Sequence, residues 1–96
     1  MLLTHVVFFK LRDPNPENAQ RLCRRILELQ GQIPVLRSIE AGVDVVREPR
    51  SYDLALIARF DSLEDMKAYQ VHPVHQALLV ELKAEAIGSA AVDFES

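Results

Sequence analysis

SYDLALIARFDSLEDMKAYQVHPVH, residues 51–75, contains a change of period that decides the fold. In its first ten residues Tyr52, Leu54, Leu56, Ala58 and Phe60 alternate with Asp53, Ala55, Ile57 and Arg59. A period of two marks a strand, and the wholly apolar face of Tyr52 and Phe60 predicts packing on a core. Ser62 is a good helix N-cap, and Asp65 three residues on completes an acidic capping-box pattern. Met66 and Tyr69 then share one helix face. Pro73 breaks or restarts the helix because it has no N–H to donate. His72 and His75 flank that break, with Tyr69 one turn earlier, and this is the densest group of reactive side chains in the chain.

Upstream, Leu3–Leu11 alternates as a strand. His5, Val7, Phe9 and Leu11 point one way, and Val6, Phe8 and Lys10 the other. Both faces are largely apolar, which predicts a central strand covered on both sides. Asn15-Pro16-Glu17 starts a helix with proline at its first position. A stripe of Ala19, Leu22, Ile26, Leu29 and Ile33 extends it over four turns to Gly31 and Pro34. Val35–Arg47 reads as a second strand with Ile39, Ala41, Val43 and Val45 on one face, and Glu48-Pro49-Arg50 as a short turn into the third. After Pro73 a helical segment is expected to about Ile87, with Leu78, Leu82 and Ala86 in phase with His75. Gly88 ends it, and Ala90, Val92 and Phe94 form a last short strand.

The order β-α-β-β-α-β is that of the ferredoxin-like α+β fold, a four-stranded antiparallel sheet with its helices on one face. Apolar residues on the other face predict a partner surface, and two copies packed face to face would bury it symmetrically. A homodimer through the open sheet face is therefore expected, with Asp53 and Arg59 on that face as cross-dimer or rim charges.

The totals narrow the function. Ninety-six residues suit one domain, residues 1–96, with a modest core. A formal charge of −3 and no basic patch argue against nucleic acid. No run is long enough to span a membrane, and the apolar start lacks the basic region and cleavage site of a signal peptide. The single Cys23 cannot form an internal disulfide, which fits a cytoplasmic setting.

Several of these segments resemble the stress-responsive dimeric α/β-barrel (Dabb) family: Thr4-His5-Val6-Val7-Phe8-Phe9-Lys10, Ile33-Pro34, Gly42, Ser51-Tyr52-Asp53, Phe60-Asp61-Ser62-Leu63-Glu64, and above all Tyr69-Gln70-Val71-His72-Pro73-Val74-His75. The resemblance implies the dimeric α/β barrel. The family holds plant stress proteins, many uncharacterised bacterial members and a plant polyketide cyclase, olivetolic acid cyclase, which performs a cofactor-free aldol closure. By that resemblance Tyr69 and His75 are catalytic, and His5, which lies in the pocket, is a third catalytic candidate. The cyclase has a tyrosine where this chain has Ile26 and a histidine where it has Leu54. The implied pocket is thus more apolar, with Ile26, Leu54, Phe9 and His72 as its substrate-binding walls.

Two functional readings stay open. One is a cofactor-free lyase, cyclase or isomerase acting on a small apolar carbonyl compound, with His75 as general base and Tyr69 as donor to an enolate oxygen. The other is a non-catalytic homodimer that protects or binds a ligand. His72 also suits a helix end, where it would bond a terminal carbonyl. His72 and His75 at i, i+3 with His5 are a weak metal pattern, since no acidic residue accompanies them. Haem has no specific signal, and no metal or cofactor is expected.

Overall fold

The computed structural model describes residues 1–96, in the order β1 (Leu3–Leu11), α1 (Pro16–Leu27), β2 (Ser38–Val43), β3 (Leu54–Phe60), α2 (Leu63–Val71), α3 (Pro73–Glu85) and β4 (Ala86–Glu95). All pairings are antiparallel, in the spatial order β2-β3-β1-β4. This is the ferredoxin-like arrangement, with the second helical segment divided at His72. β1 is central: Phe9 pairs with Leu54 on one side and Ser89 on the other. Leu2 and Ser96 exchange backbone hydrogen bonds of 2.9 Å just beyond the β1–β4 ladder.

The alternation of β1 and β3 sorts side chains between two faces. Leu3, His5, Phe9 and Leu11 face the helices with Leu54, Leu56, Ala58 and Phe60. Ala19, Leu22 and Ile26 of α1, Met66 and Tyr69 of α2, and Leu78 and Leu82 of α3 complete one buried cluster. Val6, Phe8, Ala55, Ile57, Ala90, Val92 and Phe94 form rows across the opposite face. Phe8, Val92 and Phe94 remain open to solvent there. At its edge Arg59 donates to Glu40 across 2.6 Å. β1 is therefore central as expected but covered on one side only in the single chain.

Four local expectations need correction. The α1 stripe does not continue to Ile33. The helix ends at Leu27, and Leu29 and Ile33 reach the core from turns around Gly31, whose φ is 80°. β2 spans only Ser38–Val43, and Val45 is 88% exposed. Beyond Val43 the chain leaves the ladder in a ten-residue connection rather than a short turn. Arg47 sits there in the left-handed region at φ 59°, its N–H held by Asp44 Oδ2 at 2.7 Å. Finally, α3 stops at Glu85 and β4 begins at Ala86. A bulge at Ile87 accommodates the register shift between Lys10 and Leu11.

The fourth correction concerns Tyr52 and Asp53, which exchange sides. Regular alternation starts only at Leu54. Tyr52 turns to the open face, where its ring lies 5.9 Å from that of Phe8. Asp53 turns inward and is 1% exposed. Its Oδ2 accepts the Leu11 N–H at 2.7 Å, its Oδ1 meets the Arg47 guanidinium at 2.9 Å, and its own N–H donates to the Phe9 carbonyl. Asp53 is thus a buried, fully used tie between the β2–β3 connection and the end of β1, not a charge on the open face.

Replacing Asp53 by Ala leaves the Leu11 N–H unpaired in the interior, which costs about 1–3 kcal/mol. Arg47→Ala, on an exposed guanidinium, costs at most about 1 kcal/mol. Urea unfolding of the two variants should therefore separate them in that order.

Candidate functional site

The site forms where the helix is interrupted. In an unbroken helix the Tyr69 carbonyl would accept from residue 73, and Pro73 has no N–H to give. His72 N–H donates to that carbonyl instead, at 3.1 Å, and closes α2. The His72 backbone is extended, at φ −67° and ψ 137°, and α3 restarts with Pro73 at its first position. The His72 ring turns to the new helix, where Nδ1 accepts the Val74 N–H at 3.1 Å. It is an N-cap, rather than the donor to a terminal carbonyl expected from a His-Pro helix end.

This cap frees the Gln70 carbonyl, which would otherwise take the Val74 N–H. The His75 ring donates to it through Nδ1 at 3.0 Å, and the Gln76 side-chain amide donates to it at 2.5 Å. The six-residue gap between Tyr69 and His75 closes in consequence. Their ring centroids lie 4.3 Å apart, in a tilted arrangement. His5 reaches Tyr69 from β1, edge to face, at 6.3 Å.

A cavity of about 390 Å³ opens beside these rings, between α3 and the β1–β4 side of the sheet. His5, Tyr69, Gln70, His75, Gln76 and Ser89 supply its polar wall, and Val7, Phe9, Leu56, Leu78, Leu79 and Leu82 most of its apolar one. Neither Lys nor Arg lines it. Of the residues expected here, Tyr69, His75, His5 and Phe9 come together. Ile26 and Leu54 do not: they lie in the closed core and form no part of this cavity wall. His72 also stays outside it. A larger depression of about 670 Å³ over α1, from Pro16 to Arg24, has no hydrophobic wall.

The protonation pattern follows from these contacts. A carbonyl can only accept, so Nδ1 of His75 carries the proton and Nε2 of the neutral ring keeps its lone pair. Desolvation holds the His75 pKa below its ordinary 6.5 against the opposing Gln70 hydrogen bond, and the nearby His5 and His72 push it the same way. Burial pushes the Tyr69 hydroxyl up to about 12, so it remains a donor at neutral pH. Tyr69 is 1% exposed and makes no side-chain hydrogen bond within the chain. Since no sealed side-chain N or O atom is left unpaired, this hydroxyl's open aspect is the cavity.

His5 pairs through Nδ1 with the Asp93 carboxylate, its register partner on β4. Sequence reasoning missed Asp93. The signal was available in the last strand's alternation, which puts Asp93 on the face opposite Val92 and Phe94, but only the β1–β4 register brings it to His5. No three His, Cys, Asp or Glu side chains gather closely enough to hold a metal ion. At the helix break Nδ1 of His72 and Nδ1 of His75 are each engaged by a backbone group. Cys23 is buried on α1, and desolvation raises its pKa against the pull of Arg24.

Residues 3–96 match the family model of the stress responsive A/B barrel domain. An uncharacterised protein of Streptomyces coelicolor is 33% identical over 79 residues, 79% of this chain and 81% of that protein. A dimeric protein of unknown function and ferredoxin-like fold from Bacteroides fragilis shares 35% identity, with a TM-score of 0.81 over 99% of this chain and 96% of that one. A dimeric ferredoxin-like protein of unknown function from Thermobifida fusca shares 28%, with a TM-score of 0.87 over 100% of this chain and 92% of that one. Two enzymes at 14% identity share the fold alone. They are a hydroxynitrile lyase from Passiflora edulis, at a TM-score of 0.82 over 97% of this chain and 91% of that one, and a cofactor-independent oxygenase from Streptomyces nogalater, at 0.76 over 99% and 92%.

The lowered His75 pKa has a defined sign for stability. On acidification the unfolded chain takes up this proton first, near 6.5, so His75 subtracts stability as pH falls from there through its native value. Titration of the His75 ring by NMR should place its midpoint below 6.5. The His75→Phe variant should lose part of the acid slope of melting temperature against pH.

Proposed function

The chain belongs to the stress responsive A/B barrel domain family, and from that premise we propose that it is a homodimeric, cofactor-free enzyme acting on a small apolar carbonyl compound. The observation that carries this reading is the 4.3 Å approach of the Tyr69 and His75 rings beside a mostly apolar cavity. Nε2 of neutral His75 takes a proton from the carbon next to the substrate carbonyl. The Tyr69 hydroxyl, kept protonated by burial, donates to the oxygen as enolate charge develops. The imidazolium returns the proton at the end of a lyase, cyclase or isomerase step, so no external electron carrier is needed. His5 supports the other wall, its ring held by Asp93, and Phe9 contributes apolar contact. Two fold neighbours are a lyase and a cofactor-independent oxygenase, in keeping with such chemistry.

Dimerisation in the proposal rests on the apolar open face and on solved relatives described as dimeric. No helix is long and apolar enough to cross a membrane. A cytoplasmic setting, which would keep Cys23 reduced, completes the reading.

Methyl pentyl ketone in deuterated water provides a direct test, with exchange of its α-protons followed by NMR. The wild-type protein should accelerate exchange. His75→Ala and Tyr69→Phe should each lower the acceleration about 100-fold while melting cooperatively. Wild-type rates in both variants would remove Tyr69 and His75 from the chemistry, and no acceleration by the wild type would leave the non-catalytic, ligand-binding dimer as the better reading. In sedimentation, the wild-type chain should run as a dimer and Phe8→Glu, which puts a charge into the open face, as a monomer.

A further inference from the structure

The cavity beside His75 does not end at its apolar wall. A second hollow of about 330 Å³ lies at the α3–β4 junction and shares Phe9, Leu79, Leu82 and Ser89 with the first. The two form successive parts of one groove between α3 and β4. Its far end is lined by Lys83. His75 and Lys83 are eight residues apart on the same helix, a rise of about 12 Å. Of the two parts, only the α3–β4 end is lined by a cationic Lys or Arg, Lys83; neither Lys nor Arg lines the His5 end. Lys83 enters none of the ion pairs of α3, where Glu81 engages Arg25 and Glu85 engages Arg21. Lys10, beyond Gly88, is already committed to the Ser51 carbonyl at 2.6 Å.

We infer that this groove takes an elongated, singly anionic amphiphile, a medium-chain keto acid, with its carboxylate at Lys83 and its reacting carbonyl at Tyr69 and His75. The assignment rests on the proposed function for the carbonyl end and on the groove itself for the anionic end. The apolar wall of Phe9, Leu79 and Leu82 suits the intervening methylenes. The reverse orientation would leave the carboxylate at the His5 and Tyr69 end, where neither Lys nor Arg lines the wall. Ser89 adds a hydroxyl midway along the β4 side. Lys83 is a specificity-determining residue in this reading, since it touches the substrate's head and takes no part in the proton transfer.

Binding tests the inference without turnover. Decanoate and the uncharged methyl decanoate are titrated into the wild-type protein, Lys83→Gln and Lys83→Glu, with the His75 ring signals followed by NMR. Both ligands should shift those signals. Lys83→Gln should weaken decanoate roughly threefold and Lys83→Glu roughly tenfold, with the ester changed by less than about twofold. The difference should vanish at about 1 M salt. An equal effect on acid and ester, no effect on either, or decanoate binding that leaves the His75 signals unmoved would overturn the assignment. Because no step of this test needs catalysis, its failure is separable from that of the ketone exchange. A chain that exchanges methyl pentyl ketone but binds decanoate independently of Lys83 keeps the function and loses the anionic substrate class.

Discussion

A missing hydrogen-bond donor shapes the candidate site. Pro73 cannot serve the Tyr69 carbonyl, so the chain steps out of helix for one residue and His72 begins a new one. The step has two consequences. It rotates the start of α3 so that His75 faces Tyr69 across 4.3 Å. It also leaves the Gln70 carbonyl without its helical partner, and that carbonyl fixes the His75 tautomer. One backbone break therefore determines both the position of an imidazole and which of its nitrogens keeps a lone pair. The sheet contributes the opposite wall, where β1 carries His5 inward and β4 brings Asp93 beside it.

Much of this could be read from local pattern. Period-two runs located β1 and the body of β3, and Ser62 gives α2 its cap, accepting the Asp65 N–H at 3.1 Å. Tyr69, His72 and His75 stood out as a cluster around a proline, and the family resemblance pointed to Tyr69, His75 and His5 as site residues. What escaped the reading depends on pairing between distant segments. Tyr52 and Asp53 fit the alternation of β3, yet a demand 42 residues away, the Leu11 N–H, turns Asp53 inward. Leu29 and Ile33 are apolar at helical spacing because the core needs them, and turns deliver them as well as a helix would. Ile26 and Leu54 match pocket positions of a relative, but here both fill the core. A correspondence of positions does not fix where a cavity opens when the side chains differ in size and polarity.

The two faces of the sheet divide the work. Toward the helices, alternate residues of β1 and β3 build a closed core, and only the margin over β4 is left uncovered enough to form a groove. Toward the opposite side, the same strands present Val6, Phe8 and Ile57 with Val92 and Phe94. Strands buried on one side and apolar on both are incomplete as isolated objects.

The register of β1 also has a temporal consequence. Its partners on one side are residues 54–60 and on the other residues 86–95, so Leu3 meets Phe60 and then Glu95. Of the strands of this sheet, β1 is synthesised first and is the last to acquire both neighbours. A segment reading Val6-Val7-Phe8-Phe9 must wait for β3 to close one backbone edge and for β4 to close the other. Such non-local closure slows folding and lengthens exposure to association with other nascent chains. The central position that lets β1 carry His5 to the groove is thus also the one whose pairing is completed latest.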